Sequence, residues 1–284
     1  MHPPIDGGTI LITGASAGIG RELARQFAPR ARALVLVARR SARLEVLKDE
    51  LRADSPTLTV HVAPCDLSDS AAIDAMLAEV TRQVDPVDIL INNAGIGDQA
   101  LYEQADWSRI ERMIRVNVIA IALLTRRLVP AMVMRHRGGI LNISSGAGVA
   151  LLPGEATYVG TKHFVTGFTE TLRAELADTG VVVTQVLPGP VETEFEEAAG
   201  ITRLAAGPPE FLRISAATCA REAIAGFERG RAMVFPGRVY RVTMMLQAIS
   251  PRFVQRMLAR SMARQLRRAA RVPAGTARSV TVKR

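Results

Sequence analysis

Short apolar runs rich in Val, Ile, Leu and Ala alternate with longer stretches of helical period along most of the chain. The runs at residues 9–12, 33–38, 58–62, 88–91, 139–143, 181–186 and 232–235 have the length and β-branched content of buried strands. Between them apolar positions recur every three or four residues, which predicts helices beginning near Gly18 and after Arg40, Ser70 and Ser215. Two longer helices should run from about 106 to 135 and from about 156 to 178. Continuously apolar strands belong to a sheet covered on both faces, and strands separated by right-handed helical crossovers are parallel. The predicted fold class is α/β, a doubly wound parallel sheet of about seven strands, whose ligand crevice lies beyond the strands' carboxyl ends.

Two segments interrupt the alternation. Residues 193–211 place Gly200, Gly207, Pro208 and Pro209 among apolar Phe195, Ile201, Leu204 and Phe211, the composition of a mobile cover over the crevice, with an ordinary surface insertion as the other reading. From Arg252 onward, Arg256, Arg260, Arg264, Arg267, Arg268 and Arg271 recur near helical spacing, with Val254, Met257, Leu258, Met262 and Leu266 on another face. The chain therefore divides into a single catalytic-type domain at 1–236, a basic amphipathic helical extension at 237–272 and a tail at 273–284 with the composition of disorder. The longest apolar stretch, 116–134, contains Asn117, Arg126, Arg127 and Pro130, which argues against a membrane span.

Composition adds two constraints. The chain has 284 residues, 48% of them hydrophobic, enough for one large α/β core plus an appendage. Cys65 and Cys219 form no disulfide framework and read as free thiols in a reducing compartment; with no signal-peptide pattern in residues 1–6, the expected location is cytoplasmic, with membrane association through the extension open. The formal charge of +9 is unevenly placed, because fourteen Lys and Arg and no Asp or Glu lie between Arg229 and Arg284. The remaining 22 basic and 27 acidic residues leave the main domain mildly acidic.

Candidate chemistry clusters at the strand ends. The first apolar run leads straight into Thr13-Gly14-Ala15-Ser16-Ala17-Gly18-Ile19-Gly20 and then into helical period. Glycines at such a junction let backbone approach a pyrophosphate, and the helix start offers unpaired N–H groups to it, so the sheet is of Rossmann type. Tyr158 and Lys162 stand four residues apart on one predicted helix, thirteen residues after Ser145. A hydride transfer to a carbonyl needs a proton donor at oxygen, and Tyr158 is the candidate general acid/base. A Lys ammonium nearby, together with the nicotinamide charge of the oxidised cofactor, is expected to lower the phenol pKa from about 10 toward working pH. Ser145 is the candidate donor to the developing alkoxide, with Ser144 its rival. After the second run stand Ala38, Arg39 and Arg40 in place of an acidic side chain. Guanidinium groups there suit a ribose 2′-phosphate, so NADP is preferred and NAD is less favoured. His2, His61, His136 and His163 lack paired spacing, and no metal site is expected.

In combination these motifs resemble the short-chain dehydrogenase/reductase family, from Thr9 to about Phe235. The resemblance implies a pyrophosphate loop of Thr13, Gly14, Ser16, Gly18, Ile19 and Gly20, and a catalytic tetrad of Asn117, Ser145, Tyr158 and Lys162. It places Asp66, with Leu67, at the adenine and Asn92, Asn93, Ala94 and Gly95 along the cofactor. Pro188, Gly189, Val191 and Thr193 would hold the nicotinamide carboxamide, and Lys162 the ribose hydroxyls, with a water on Asn117 relaying protons. It further implies a homodimer or homotetramer paired through the two long helices. Leu101, Tyr102, the 149–153 stretch and the apolar cover would line a site for a hydrophobic ketone, aldehyde or secondary alcohol. A cofactor-sensing or scaffold protein without turnover, and an NAD-dependent alcohol dehydrogenase of the same fold, are the rival readings. The extension fits peripheral contact with an anionic membrane or packing on the domain or a partner subunit; nucleic acid is not expected as a partner.

Overall fold

The computed structural model describes residues 2–195, 199 and 210–270. Its main sheet has seven parallel strands: β1 (Thr9–Thr13), β2 (Ala33–Ala38), β3 (Thr59–Pro64), β4 (Ile89–Asn92), β5 (Gly138–Ile143), β6 (Val181–Val186) and β9 (Met233–Val234), in the order β3-β2-β1-β4-β5-β6-β9. The seven apolar runs are these seven strands, shifted at their ends by a residue or two. A separate parallel pair, β7 (Val191–Glu192) with β8 (Ile214–Ser215), has no counterpart in the chain pattern, because two-residue strands carry no periodicity.

Side chains alternate across the sheet and feed two cores. Ile10, Ile12, Leu34, Leu36, Ile89 and Ile91 meet helices α1 (Gly18–Phe27), α2 (Ser41–Asp54) and α7 (Ala216–Glu228) on one face. Leu11, Val35, Val37, Leu90, Ile140 and Val183 face α3 (Ser70–Gln83), α5 (Ala120–Met134) and α6 (Ala156–Glu175) on the other. A buried polar ladder crosses the second face. Asn92 donates to Asn142 at 2.9 Å and to Thr125 at 3.3 Å, and Asn142 donates to Thr169 at 2.9 Å, tying β4 and β5 to α5 and α6.

The predicted long helix at 106–135 is α4 (Trp107–Ile114) running into α5 through a single π-helical turn, Arg115–Ile119. By length and composition Trp107–Met134 could cross a membrane. Here it is a core helix, burying Met113, Val116, Asn117, Ala120 and Leu124. The extension is two helices, α8 (Arg238–Ile249) and α9 (Arg252–Ala270), broken at Ser250-Pro251, where the proline removes a donor and its ring disfavours a helical conformation in the residue before it. It packs on the domain rather than standing apart from it. Of the predicted cover, Thr193–Phe195, Ala199, Glu210 and Phe211 are described; the rest of it, and the tail at 273–284, lie outside the described residues.

The chain reverses its winding between β1 and β4, so the loops after these two strands flank a crevice at their carboxyl ends. Every predicted site residue lies on this edge or on the helices that border it.

Candidate active site

The glycine loop is shaped by its neighbour strand. Gly14 and Gly18 have φ of 68° and 54°, the left-handed region that an L side chain rarely enters. A Cβ on Gly14 would also stand 2.8 Å from Asn93 Nδ2 and 2.9 Å from the Ala94 Cα. Asn93 fills that space because its amide donates to the Thr13 carbonyl at 2.9 Å, while the Thr13 hydroxyl accepts from the backbone N–H of Asn93 and Ala94 at 2.9 and 3.0 Å. The loop after β4 thereby holds the loop after β1 in place. α1 begins at Gly18 with no side chain capping it, which leaves first-turn N–H groups for an anion.

The basic rim places Arg43, which the sequence reading did not name, beside Arg40. Arg40 reaches the Ser16 hydroxyl at 3.3 Å and the Glu194 carboxylate at 3.1 Å. Arg43, one turn further along α2, donates to both Glu194 oxygens at 2.7 and 2.9 Å. The two arginines hold the Glu194 carboxyl below its usual pKa, Arg43 more strongly than Arg40. Arg39 instead lends its charge to Asp66, whose carboxyl accepts from the Ser68 amide and hydroxyl at 3.0 and 2.8 Å and pairs with Arg112 at 3.2 Å. Burial works against the Asp66 carboxylate, but Ser68, Arg112 and Arg39 together keep its pKa low. The Leu67 side chain is in the second core, so only its backbone faces the crevice loop. Arg43 was legible as the residue one helical turn after Arg40; Glu194 had no such signal.

At the other end of the crevice, Ser144 and Ser145 part company. Ser144 is buried against α6, donating to the Lys162 carbonyl and meeting Thr166 Oγ1, both at 3.3 Å. Ser145 accepts from the Ala147 amide at 3.1 Å, and its hydroxyl lies on the Tyr158 side, where it works to lower the phenol pKa. Lys162 donates to the Ile143 carbonyl at 3.1 Å and sits 5.8 Å from the Tyr158 ring centroid. Asn117 lies in the π turn, whose extra residue turns its amide inward. It accepts from Ile96 N–H at 3.0 Å and donates to the Ile96 carbonyl and Thr161 at 2.9 and 3.1 Å. One acceptor lone pair remains on its oxygen. A Cβ on Gly95 would touch this oxygen and Lys162 Nζ, each at 3.5 Å, so Gly95 keeps the space between them open.

Burial dominates the electrostatics of the Tyr158 and Lys162 pair. Burial pushes the Tyr158 phenol well above its ordinary pKa; the Ser145 hydrogen bond opposes this and the Glu155 charge adds to it. Burial also lowers Lys162 to about 8. Desolvation outweighs the anticipated help from the ammonium, and Tyr158 is a protonated acid at neutral pH. Glu155 is itself raised to about 7 by burial, against a hydrogen bond from Gln99.

The segment after β6 covers this constellation. The Thr193 methyl would lie 3.0 Å from a Cβ on Gly18, and the Phe195 ring stands 5.7 Å from that of Tyr158. Tyr240 of α8 roofs Gly189, and its hydroxyl donates to the Pro188 carbonyl at 3.4 Å. Val191 is buried in the β7–β8 pair. Beside Tyr158 a narrow crevice of about 10 Å³ runs between Ala100, Tyr102, Met113 and Gly154. A larger hollow of about 380 Å³, lined by Arg32, Thr59, His61 and Arg82, is at the opposite end of the sheet, away from every one of these groups.

Comparison with known proteins agrees with this construction. Residues 8–203 match the short chain dehydrogenase family model, and the chain belongs to that family. It is 39% identical over 191 residues to a sulfoacetaldehyde reductase of Chromohalobacter salexigens, covering 66% of this chain and 73% of that protein. It is likewise 39% identical over 191 residues to the NADP-dependent 3-hydroxy acid dehydrogenase YdfG of Salmonella typhi, with 66% and 74% covered. Among solved structures, a short-chain dehydrogenase from Sphingobium yanoikuyae in complex with NADPH superposes with a TM-score of 0.75 at 34% identity, over 85% of this chain and 93% of that one. A bulky-bulky ketone specific alcohol dehydrogenase from Comamonas testosteroni gives 0.71 at 30% identity, over 85% and 91%.

Proposed function

We propose that this protein is an NADP-dependent oxidoreductase that moves a hydride between nicotinamide and a hydrophobic ketone, aldehyde or secondary alcohol, with Tyr158 as general acid/base. The observation that carries the reading is a buried Tyr158 beside Lys162, on the same crevice as a glycine loop whose left-handed, tightly packed residues leave no room for a Cβ. The residues fit a dinucleotide: Gly14, Ser16, Gly18, Ile19 and Gly20 for the pyrophosphate, and Arg40 with Arg43 for a 2′-phosphate. When bound, the cofactor supplies or accepts the hydride.

The protein's own groups do the rest. Tyr158 holds the proton that the substrate oxygen receives, and Ser145 donates a hydrogen bond as negative charge grows there. Lys162, near half-protonation at about pH 8, would hold the cofactor ribose and would exchange protons with solvent through a water on the free Asn117 lone pair. Glu155 and Tyr102 border the crevice beside Tyr158, and Phe195 excludes water from Tyr158. The NADPH complex of the Sphingobium protein and the NADP-dependent YdfG support the cofactor choice, and the Comamonas ketone reductase supports a bulky carbonyl. Exposed Ile114, Ile119 and Phe164 on α4 to α6, the last stacked on Phe168 at 5.5 Å, support pairing with a second copy.

The test is carbonyl-dependent oxidation of NADPH by the purified chain and by Tyr158→Phe. Turnover lost in the variant with cofactor binding intact supports the reading; equal turnover in both refutes it.

A further inference from the structure

Nine of the seventeen large hydrophobic side chains exposed among the described residues lie on α8 and α9. On α8, Val239, Val242, Leu246 and Ile249 recur at three- and four-residue steps and form one stripe. It runs across Ser250-Pro251 into Phe253 and Met257 at the start of α9; Ile249 is 78% and Phe253 71% exposed. The opposite side of the same helices is anchored. Tyr240 is packed on Gly189, Gln247 donates to the Val149 carbonyl at 3.3 Å, and Leu266 is buried against Gly154 on the crevice rim. Arg267 pairs with Glu103 of the same rim at 2.6 Å. The outward stripe is therefore held rigidly in solvent beside the crevice mouth.

The charge around it has one sign. Arg256, Arg260, Arg264 and Arg268 recur every four residues beside Phe253 and Met257, all are exposed, and none has a carboxylate partner among the described residues. No Asp or Glu follows Glu228, while Arg271, Arg278, Lys283 and Arg284 add further positive charge to the chain. A second copy meeting this face across a two-fold axis would set arginine against arginine. An anionic bilayer satisfies both features, taking the apolar stripe into its acyl boundary and the guanidinium groups at its phosphates.

We propose that α8 and α9 form an interfacial anchor that seats the protein on an anionic lipid surface, with the crevice rim beside it. The anchor is independent of the hydride-transfer reading. The test is flotation of the full chain with vesicles of phosphatidylcholine alone and of phosphatidylcholine mixed with phosphatidylglycerol. The protein is expected to float with the mixed vesicles only and to be released by salt. Ile249→Glu with Phe253→Glu should abolish flotation. Arg256→Gln, Arg260→Gln and Arg264→Gln together should weaken it about a hundredfold, about fivefold for each charge. NADPH titrations of these variants in solution should match the parent, which separates loss of the anchor from loss of fold. A parent chain that stays in solution with mixed vesicles overturns the proposal, as does an Ile249→Glu, Phe253→Glu variant that floats normally. A lipid-free shift of that variant to a smaller assembly also overturns it and assigns the face to a second copy.

Discussion

Arg40 and Arg43 give a direct test of cofactor choice, because Glu194 already occupies them with the kind of charge a 2′-phosphate would bring. Each arginine is about half exposed, so solvent screens its contribution. An exposed charge pair of this kind is worth about 1 kcal/mol, or about fivefold in affinity. Arg40→Ala and Arg43→Ala should each weaken NADPH binding about fivefold and together about thirtyfold, with NADH unchanged because it lacks the phosphate. Glu194→Gln should act in the opposite direction: it removes a resident competitor and should tighten NADPH about two- to fivefold, again sparing NADH. Arg39→Ala should change little, since that guanidinium serves Asp66. Titration of the five variants, the Arg40→Ala, Arg43→Ala double included, with both nucleotides by calorimetry at one ionic strength reads all of these. Equal losses for NADPH and NADH would refute the assignment of Arg40 and Arg43 to the phosphate. A selective loss in Arg39→Ala instead would return that role to the residue at the strand end.

Three further outcomes are expected. Tyr158→Phe should lower the carbonyl reduction rate by about a hundredfold to ten-thousandfold in stopped-flow assays, with NADPH affinity within about twofold of the parent. Gly14→Ala should lower stability by at least about 1–2 kcal/mol for the left-handed backbone alone, with more from the Asn93 overlap, read as a fall in Tm and relieved in part by nucleotide. Lys162 is lowered from 10.5 to about 8 by burial, so below pH 8 the folded state carries a desolvated charge worth about 3 kcal/mol of lost stability. Between pH 8 and 10.5 the unfolded chain binds more protons than the folded one, and stability rises with pH. Lys162→Met should therefore be more stable than the parent in urea at pH 7, with the gap closing as pH approaches 10.

Glu155, raised to about 7, borders the substrate crevice and adds to the rise in the Tyr158 pKa. Its ionisation places a negative charge beside Tyr158, which strengthens retention of the phenolic proton rather than releasing it.

The seven strands, the glycine loop and the pairing of Tyr158 with Lys162 were legible in the chain because each rests on local spacing. Period two buries both sheet faces, period 3.6 puts residues four apart on one side of a helix, and a left-handed turn demands glycine. What tertiary structure alone decided involves groups brought together from distant segments. Glu194 meets Arg40 and Arg43 from more than 150 positions away, Tyr240 roofs Gly189 from the extension, and Leu266 closes on Gly154. The choice between Ser144 and Ser145 likewise waited on α6, which takes one hydroxyl into its packing and leaves the other facing Tyr158. The burial that raises the Tyr158 phenol is likewise a tertiary effect. Spacing shows that an ammonium is near, whereas desolvation depends on everything packed around the pair, and in this crevice burial is the larger effect.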